Sequence, residues 1–342
     1  MALSLQNVWT KARIAHRAAV RLAIGASLAL LVGAVTQCAA QAASPYPNKP
    51  VHIVLPYGPG GVADVELRIV AQGLSDLTKQ QFLIDNRAGA GGIVAGNTVL
   101  NAPPDGYMLL MDGNNNSITE ALFRSVPFHA ATSFEPISTL AGFDFMIVSK
   151  YGSPLKTVKE LIADARAHPG KLNFGTITAG STSNLAAELF RSVAGIKVAI
   201  VPYRSTPEMI AALVRGDVDV AFDTYTGLKG AMAGKLVAAI ATTGSARSPV
   251  LPNVPTVAES GLPKYDVTSW NALSAPLHTP ASVITFLNQK VRQAMVLPEV
   301  KTKLLKLGMV SQTSSPAEVT ARLNSDFKKW SAVIKQAGIK KQ

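Results

Sequence analysis

Two turns rich in glycine and small hydroxyl residues carry the clearest binding chemistry in this sequence. The first contains Gly58, Gly60 and Gly61, and the second runs from Ala179 through Gly180, Ser181 and Thr182 to Ser183. Each turn leads into a predicted helix, so backbone N–H groups there can bind an anion. Each helix dipole contributes about 0.3–1 kcal/mol to holding a carboxylate, or about 2 kcal/mol where the site is partly buried. Tight turns with helix caps explain the same residues equally well.

Acidic and histidine residues offer weaker candidates. Asp217, Asp219 and Asp223 share one face of a predicted strand, where a hard cation could bind. A turn aspartate followed by a strand end is the simpler interpretation. The histidines after residue 42 are far apart and lack metal-ligand spacing. They are His52, His129, His168 and His278. We therefore predict no metal site.

Sequence signatures of catalysis and cofactor binding are absent. There is no H-E-x-x-H, paired cysteine, G-x-S-x-G or G-x-x-x-x-G-K-[ST]. Gly89 and Gly91 begin a dinucleotide-like motif, but Val94 stands where its third glycine belongs. We therefore predict no cofactor and no catalytic residues.

Alternating strands and helices position the two turns. Apolar runs predict strands at 51–55, 82–84, 107–111, 218–222 and 237–241. A helix is predicted near Asp64 and another at 93–100. Further helix starts are predicted at Thr157, Ser181 or Ser183, Thr206-Pro207, Thr279-Pro280 and Ser315-Pro316. This alternation is typical of an α/β fold with largely parallel sheets, and about 300 residues favour two lobes over one.

The first 42 residues have the layout of an export signal. Four basic residues precede an uncharged apolar run at 22–35, and small residues follow at 39–43. That run is shorter than the roughly 20 residues of a membrane-spanning helix. Cleavage is predicted before Ala43. Gln37 precedes Cys38, which argues against a lipoprotein.

Charge and cysteine content limit the possible partners. The formal net charge is +12, and it falls to +8 without residues 1–42 because they hold four basic and no acidic residues. The basic residues are scattered rather than clustered with aromatic residues, so nucleic acid is not a predicted partner. Cys38 is the only cysteine. The mature chain therefore has neither a disulfide nor a thiol nucleophile.

Ten segments of the mature chain resemble those of the tripartite tricarboxylate transporter substrate-binding proteins, also called Bug proteins. In order they are YPNKPVHIVLPYGPGG, NRAGAGG, PDGYMLL, PGKLNFGT, GSTSNLAAELF, VPYR, GDVDVAFD, RSPVLPNVPTVAESGLP, SWNALSAP and WSAVIKQAGI. The resemblance implies a type II periplasmic-binding fold, with a ligand cleft between two α/β lobes. Lobe 1 is expected at residues 44–142 and 267–342, and lobe 2 at 143–266.

The resemblance also implies roles for individual residues. The first turn becomes a loop from Tyr57 to Asp64, in which the N–H groups of Gly60 and Gly61 meet a carboxylate and Asp64 caps the helix. Hydroxyl groups of the second turn meet the same carboxylate. Three further residues are expected to line the cleft or face the far end of the ligand: Tyr203, Arg204 and Asp223. Val62-Ala63 and Asn184 depart from the family pattern, which leaves the ligand open.

These observations favour a monomeric periplasmic receptor that captures a small organic carboxylate without catalysis. Delivery to membrane permease subunits or to a sensor protein would follow. A secreted α/β enzyme acting on an anionic substrate is the alternative, with Ser181, Ser183, Asp64 and Asp223 as its candidate residues. A partner protein with a vestigial cleft is a third hypothesis.

Overall fold

A computed structural model describes residues 46–342, and the predicted signal peptide lies outside this range. Strands alternate with helices along most of the chain. The strands are β1 Val51–Leu55, β2 Phe82–Asn86, β3 Met108–Gly113, β4 Phe134–Lys150, β5 Asn173–Ile177, β6 Ala199–Tyr203, β7 Val220–Thr224, β8 Val237–Thr242, β9 Thr268–Pro276 and β10 Val310–Ser311. The helices are α1 Val62–Thr78, α2 Ile93–Leu100, α3 Asn114–Leu122, α4 Val158–Ala167, α5 Thr182–Ala194, α6 Thr206–Arg215, α7 Tyr225–Ala233, α8 Ala281–Val296, α9 Pro298–Lys306 and α10 Pro316–Ala337. Among the described residues, no helix has the length and apolar character needed to cross a membrane.

The strands form a mixed sheet in the order β2-β1-β3-β9-β4-β7-β5-β6, with β8 and β10 also paired to β4. Strand β1 is parallel to β2 and β3, and β5 is parallel to β6 and β7. Strands β4 and β9 run antiparallel to their neighbours. The prediction of largely parallel sheets is therefore wrong for the centre of the sheet. Strands joined by helical connections run parallel, and such pairs occur only at the two ends of the sheet.

Strand β4 belongs to both halves of the sheet. Its first part pairs with β9 as far as Asp144↔Thr268, and its second part pairs with β7 from Phe145↔Thr224 onward. Thr243 stabilises this junction, because its hydroxyl accepts the Phe145 N–H at 2.8 Å and donates to the carbonyl of Val267 at 2.7 Å. The two halves are thus joined by extended chain rather than by a flexible linker.

Each half of the sheet has its own apolar core. Phe174, Phe190 and Phe222 form an aromatic cluster in the half built on β5, with ring centroids 5.6–6.0 Å apart. The other half packs Val54 and Leu110 against a cluster that includes Phe128 and Phe134. Buried residues of α3 and α10 join the first of these cores, so both helices connect the halves.

Several predicted helix starts are confirmed and others need correction. Ser181 caps α5, Thr157 caps α4, and Ser315 forms a capping box with Glu318. Helix α6 is capped by Ser205 instead of Thr206 because the proline occupies the second helical position rather than the first. Helix α8 has no side-chain cap, since Thr279 instead donates its hydroxyl to the carbonyl of Pro276. Helix α1 begins at Val62.

The turn from β3 into α3 requires glycine. Gly113 has φ 151°, and a Cβ there would overlap the carbonyl oxygen of Trp270 on β9. We expect Gly113→Ala to lower the free energy of unfolding by about 3 kcal/mol, from backbone strain and displacement of β9. Gly230→Ala on α7 is the matched control, since a Cβ there meets nothing within 4 Å. Urea unfolding of both variants is the measurement, and a change below about 0.5 kcal/mol in Gly113→Ala would contradict this account.

Candidate ligand-binding site

Three helix starts follow the carboxyl ends of parallel strands. Helix α1 follows β1 through the first turn, α3 follows β3 directly, and α5 follows β5 through the second turn. Ligands of α/β proteins commonly bind at this edge of the sheet, where helix starts present unpaired N–H groups. Sequence reasoning did not identify the start of α3, which lies near both predicted turns.

Gly92 lies between the chain that enters the first turn and the start of α3. A Cβ at Gly92 would lie 3.4 Å from Pro56 Cβ and 3.1 Å from Asn115 Nδ2. Asn115 also donates its side-chain amide to the carbonyl of Gly91 at 2.9 Å. The chain entering the first turn, the glycine segment at 89–92 and the start of α3 are therefore in mutual contact.

The second turn reaches the same helix through Asn114. The Nδ2 of Asn114 donates to the Thr182 hydroxyl at 3.2 Å, and its Oδ1 accepts the Ser269 hydroxyl at 2.8 Å. A Cβ at Gly180 would lie 2.5 Å from Leu122 Cδ2, at the other end of α3. The second turn therefore contacts α3 directly, whereas the chain entering the first turn is linked to α3 through the glycine segment at 89–92.

Asp64 organises the first turn from within. Its carboxylate accepts the Gly60 N–H and the Arg68 Nε–H, each at 3.0 Å, and the Asn86 side-chain amide at 3.1 Å. The hydrogen bond from Arg68 is the main reason that the pKa of Asp64 is lowered to about 2, with the other bonds adding to it. The Gly60 N–H, which was expected to meet a carboxylate, is bound to Asp64 in this structure, and its contact with the ligand stays a prediction.

The next amides along the first turn remain unpaired. The N–H groups of Gly61, Val62 and Ala63 donate to no acceptor within residues 46–342, and α1 has no side-chain cap. Gly58 and Gly61 are exposed, and a Cβ on either would meet at most the Gly58 carbonyl at 3.9 Å. This turn therefore offers an open, electropositive helix start of the kind predicted.

The second turn uses most of its hydroxyl groups internally. Ser181 Oγ donates to the carbonyl of Ile177 and accepts the Asn184 N–H at 3.3 Å, while the buried Ser183 accepts the Ile177 N–H at 3.3 Å. The Gly180 N–H is bound to the Asn184 side chain at 3.0 Å. The hydroxyl groups of Ser181 and Ser183 thus bond within the turn, and their expected contacts with the ligand stay a prediction.

The backbone N–H groups of Thr182 and Ser183 are the available donors of the second turn. Neither donates to an acceptor in the described part of the chain. The same holds for Asn114, Asn115 and Asn116 at the start of α3, which also lacks a side-chain cap. Backbone amides, more than hydroxyl groups, thus provide the anion-binding capacity of these three helix starts.

Tyr203 and Arg204 were expected to line the cleft, and Tyr57 was expected to begin the first loop. Tyr57 is 37 % exposed on the first turn. The Tyr203 ring instead packs beside Gly175 and an apolar cluster behind the turn. Its pKa is raised by burial and by the nearby Asp217. Arg204 is exposed, with its N–H donated to Glu208 at 3.2 Å, so its position in the cleft stays a prediction.

Asp223 lies buried at the end of β7, between the starts of α6 and α7. Its carboxylate accepts the hydroxyl of Thr206 and the Thr224 N–H, and burial raises its pKa. Asp217 pairs with Arg215, and Asp219 accepts the Asn173 N–H. The three acids thus have separate partners, and residues 46–342 contain no acid or histidine group arranged to hold a metal.

An apolar groove of about 770 Å³ lies between α6 and α7, apart from the three helix starts. Ile210 and Val214 line one side and Ala231 and Leu236 the other. Thr206 lies at one end of the groove and donates its hydroxyl to Asp223, so this end of the groove is close to Asp223.

Two buried acids near the helix starts were missed from the sequence. Asp112 accepts the Gly113 N–H, the Asn116 side chain and the Ser274 hydroxyl at 2.7–2.8 Å, and burial raises its pKa to about 6. Glu66 is fully buried in α1. The polar run D-G-N-N-N-S after a predicted strand was the available signal for the first, and an acid on the apolar stripe of α1 was the signal for the second.

The pH dependence of fold stability depends on the protonation of Glu66. Burial raises the pKa of Glu66 to about 8 from its ordinary 4.5, against the lowering effect of a hydrogen bond from Asn271. Between these values the folded state holds a proton that the unfolded state has lost. The stabilising free energy therefore falls as pH rises from about 5 to 8, by up to about 1.4 kcal/mol per pH unit from this group.

Glu66→Gln should abolish the loss of stability between pH 5 and 8, because glutamine does not titrate. The free energy of unfolding of this variant, relative to that of wild type, should therefore increase with pH. Urea unfolding at pH 5, 6.5 and 8 measures the effect. Glu299→Gln, an exposed glutamate on α9, should follow the wild-type pH dependence because Glu66 remains in place. Parallel curves for wild type and Glu66→Gln would show that Glu66 is not protonated in the fold.

Comparison with known proteins places the chain in a family. Residues 66–339 match the model of the tripartite tricarboxylate transporter family receptor. R. palustris Rpa4515 with adipate is 31 % identical, with a TM-score of 0.75 over 86 % of this chain and 98 % of that one. The periplasmic binding protein BugD is 27 % identical, with a TM-score of 0.73 over 87 % and 100 %. MatC from Rhodopseudomonas palustris with bound malate is 28 % identical, with a TM-score of 0.72 over 84 % and 100 %. The fold is the two-lobed fold of periplasmic binding proteins, and the chain belongs to the tripartite tricarboxylate transporter receptor family of solute-binding proteins.

Proposed function

We propose that this receptor captures a small organic carboxylate between the first and second turns and that the two lobes close over it. The observation that carries this proposal is the set of unpaired N–H groups at the starts of α1 and α5, since α5 contacts α3 through Thr182 and the chain entering the first turn is linked to α3 through the glycine segment at 89–92. Adipate in Rpa4515 and malate in MatC support a carboxylate as the ligand. The proposed lobes are residues 44–142 with 267–342, and 143–266. The change of partner along β4 at Asp144 and Phe145 supports this division.

The proposed role is binding without catalysis, followed by delivery of the ligand to membrane permease subunits or to a sensor. The alternative, an enzyme, requires a nucleophile bonded to a base. Ser181 and Ser183 instead bond to the backbone and to each other, at 3.1 Å between their hydroxyl oxygens. Asp64 is held by Arg68 and Gly60. These contacts favour the receptor over the enzyme, and we propose that the receptor acts as a monomer.

Export to the periplasm is part of the proposal. The basic, apolar and small-residue regions at 1–42 support a cleaved signal, and BugD is a periplasmic binding protein. Expression of the full chain in a Gram-negative host should yield periplasmic protein whose mature N-terminus is Ala43 or lies one or two residues from it. Intact-mass spectrometry of the periplasmic fraction measures this. Protein that retains residues 1–42 and stays in the cytoplasm would contradict it.

A thermal-shift panel of dicarboxylates, hydroxy acids, amino acids and aromatic acids tests ligand class. A ligand at about 100 times its Kd should stabilise the folded receptor by roughly 2.7 kcal/mol. The midpoint of unfolding should therefore rise clearly with at least one carboxylate. A broad panel without any shift would contradict carboxylate capture.

Val62→Pro tests whether backbone amides hold the ligand. Val62 is the first residue of α1, where proline removes the N–H while keeping the helix geometry, and Gly61 has the extended ψ of 169° that a following proline requires. Loss of one charge-assisted hydrogen bond of about 1.5–3 kcal/mol should raise the Kd by about tenfold or more, with little change in stability.

Ala281→Pro is the matched control, because Ala281 is the exposed first residue of α8, away from both turns. Isothermal titration calorimetry with the carboxylate that gives the largest thermal shift compares the two variants. Equal Kd values for wild type and Val62→Pro would show that the start of α1 does not bind the carboxylate.

A further inference from the structure

Glu66 is an acid on the apolar face of α1. It lies one turn before Val70 and two turns before Leu74, all three fully buried. One carboxyl oxygen, Oε2, accepts the side-chain amide of Asn271, while Oε1 has no hydrogen-bond partner within residues 46–342. A buried acid with one unsatisfied oxygen destabilises a fold relative to an apolar side chain. Fold stability therefore does not explain why an acid occupies this position, whereas a functional role would explain it.

Asn271 lies between two of the helix starts. On β9 it is paired with Gly113, and a Cβ at Gly113 would lie 3.2 Å from Asn271 Cα. Its side chain extends to Glu66 in the second turn of α1. The amide group of Asn271 is consequently placed beside the start of α3 and the first turns of α1.

The two polar atoms of the Asn271 amide have different surroundings. Its Nδ2 is bound to Glu66, whereas its Oδ1 accepts no hydrogen bond from the described residues. Asn271 is 8 % exposed, and Oδ1 is not among the fully enclosed atoms without partners, in contrast to Glu66 Oε1. The amide thus presents an accessible carbonyl oxygen, which only accepts hydrogen bonds.

Glu66 fixes which end of the amide is accessible. An asparagine amide can turn over and exchange its oxygen for its NH₂ group. Glu66 Oε2 accepts a hydrogen bond from the NH₂ group, whether Glu66 is a carboxylate or an acid protonated on Oε1, and this bond keeps Oδ1 on the accessible side. A carbonyl oxygen attracts a hydroxyl or ammonium group and does not favour a second carboxylate at the same point.

We propose that Asn271 is a specificity-determining residue of the ligand site and that Glu66 is the positioning residue that orients it. The site therefore prefers carboxylates with a hydroxyl or ammonium group on the carbon next to the carboxylate. This inference rests on the proposed function, because it needs a carboxylate at the helix starts that flank Asn271.

Matched ligands that differ by one donor group test the preference. Isothermal titration calorimetry compares succinate with malate and aspartate, and adipate with 2-aminoadipate. In wild type, the ligand with the donor should bind at least about tenfold more tightly than its partner, as one well-placed hydrogen bond allows. Asn271→Leu should reduce this ratio to about twofold or less by removing the acceptor. Glu66→Leu should do the same by freeing the amide, with the affinity for succinate or adipate retained within about threefold.

Glu66→Gln is the rescue variant, since its carbonyl oxygen still accepts the Asn271 NH₂ group and should keep the preference. Asn324→Leu, an exposed position on α10, is the matched control and should also keep it. If Glu66→Leu fails to fold, Asn271→Leu decides. Carboxylate binding without a donor preference in wild type, or a preference unchanged in both leucine variants, would overturn this inference and leave the proposed function intact. Absence of binding by every carboxylate of the thermal-shift panel would overturn both.

Discussion

The first N–H groups of an α-helix have no carbonyl partner within the helix, and this receptor leaves several of them unpaired at one edge of its sheet. Five of the ten α-helices in the described chain avoid that situation with a side-chain cap, such as Thr157 on α4 and Ser315 on α10. Helices α1 and α3 have no such cap. Unpaired amides beside one another attract an anion. The remaining architecture can be understood as the means of holding these helix starts together.

Helix α3 is the central element of that arrangement. At its start, Asp112 accepts the Gly113 N–H and the Asn116 side chain. Asn115 bonds to Gly91 in the segment at 89–92, and Asn114 bonds to Thr182 in the second turn. Its buried apolar face joins the core of the half of the sheet that contains β5. Any movement of one half relative to the other therefore acts on the contacts of α3. Under the proposed function, closure of the lobes and occupation of the helix starts would therefore be coupled.

Buried acids beneath the site set its chemical character. Asp112 satisfies its carboxylate with three donors, so it serves the turn into α3. Glu66 has a single donor and a raised pKa, which keeps it uncharged near neutral pH. Under the proposed function, an acid protonated on Oε1 would not repel a bound carboxylate, and its Oε2 would still accept the Asn271 NH₂ group.

Local sequence signals predicted the elements that depend on local chemistry. The strand at Val51–Leu55, the helix at Ile93–Leu100 and the caps at Thr157, Ser181 and Ser315 follow from apolar periodicity and capping residues. The family resemblance supplied the fold and the receptor class, and the comparisons confirmed both.

What could not be predicted depends on contacts between distant residues. Strand β4 has 17 residues and changes partners midway, which no local pattern reveals. The hydrogen bonds that Ser181 and Ser183 make within the turn were not visible in the local sequence, and their expected contact with the ligand stays a prediction. The pairing of Glu66 with Asn271 spans 205 residues and becomes visible only when α1 packs on β9.

Amide hydrogen exchange, measured by NMR on labelled protein with and without its tightest-binding carboxylate, tests the central claim most directly. The account predicts that the ligand slows exchange together at Gly61, Val62 and Ala63 on one side and at Thr182 and Ser183 on the other. Slowed exchange at only one of the two helix starts, or at neither, would contradict it.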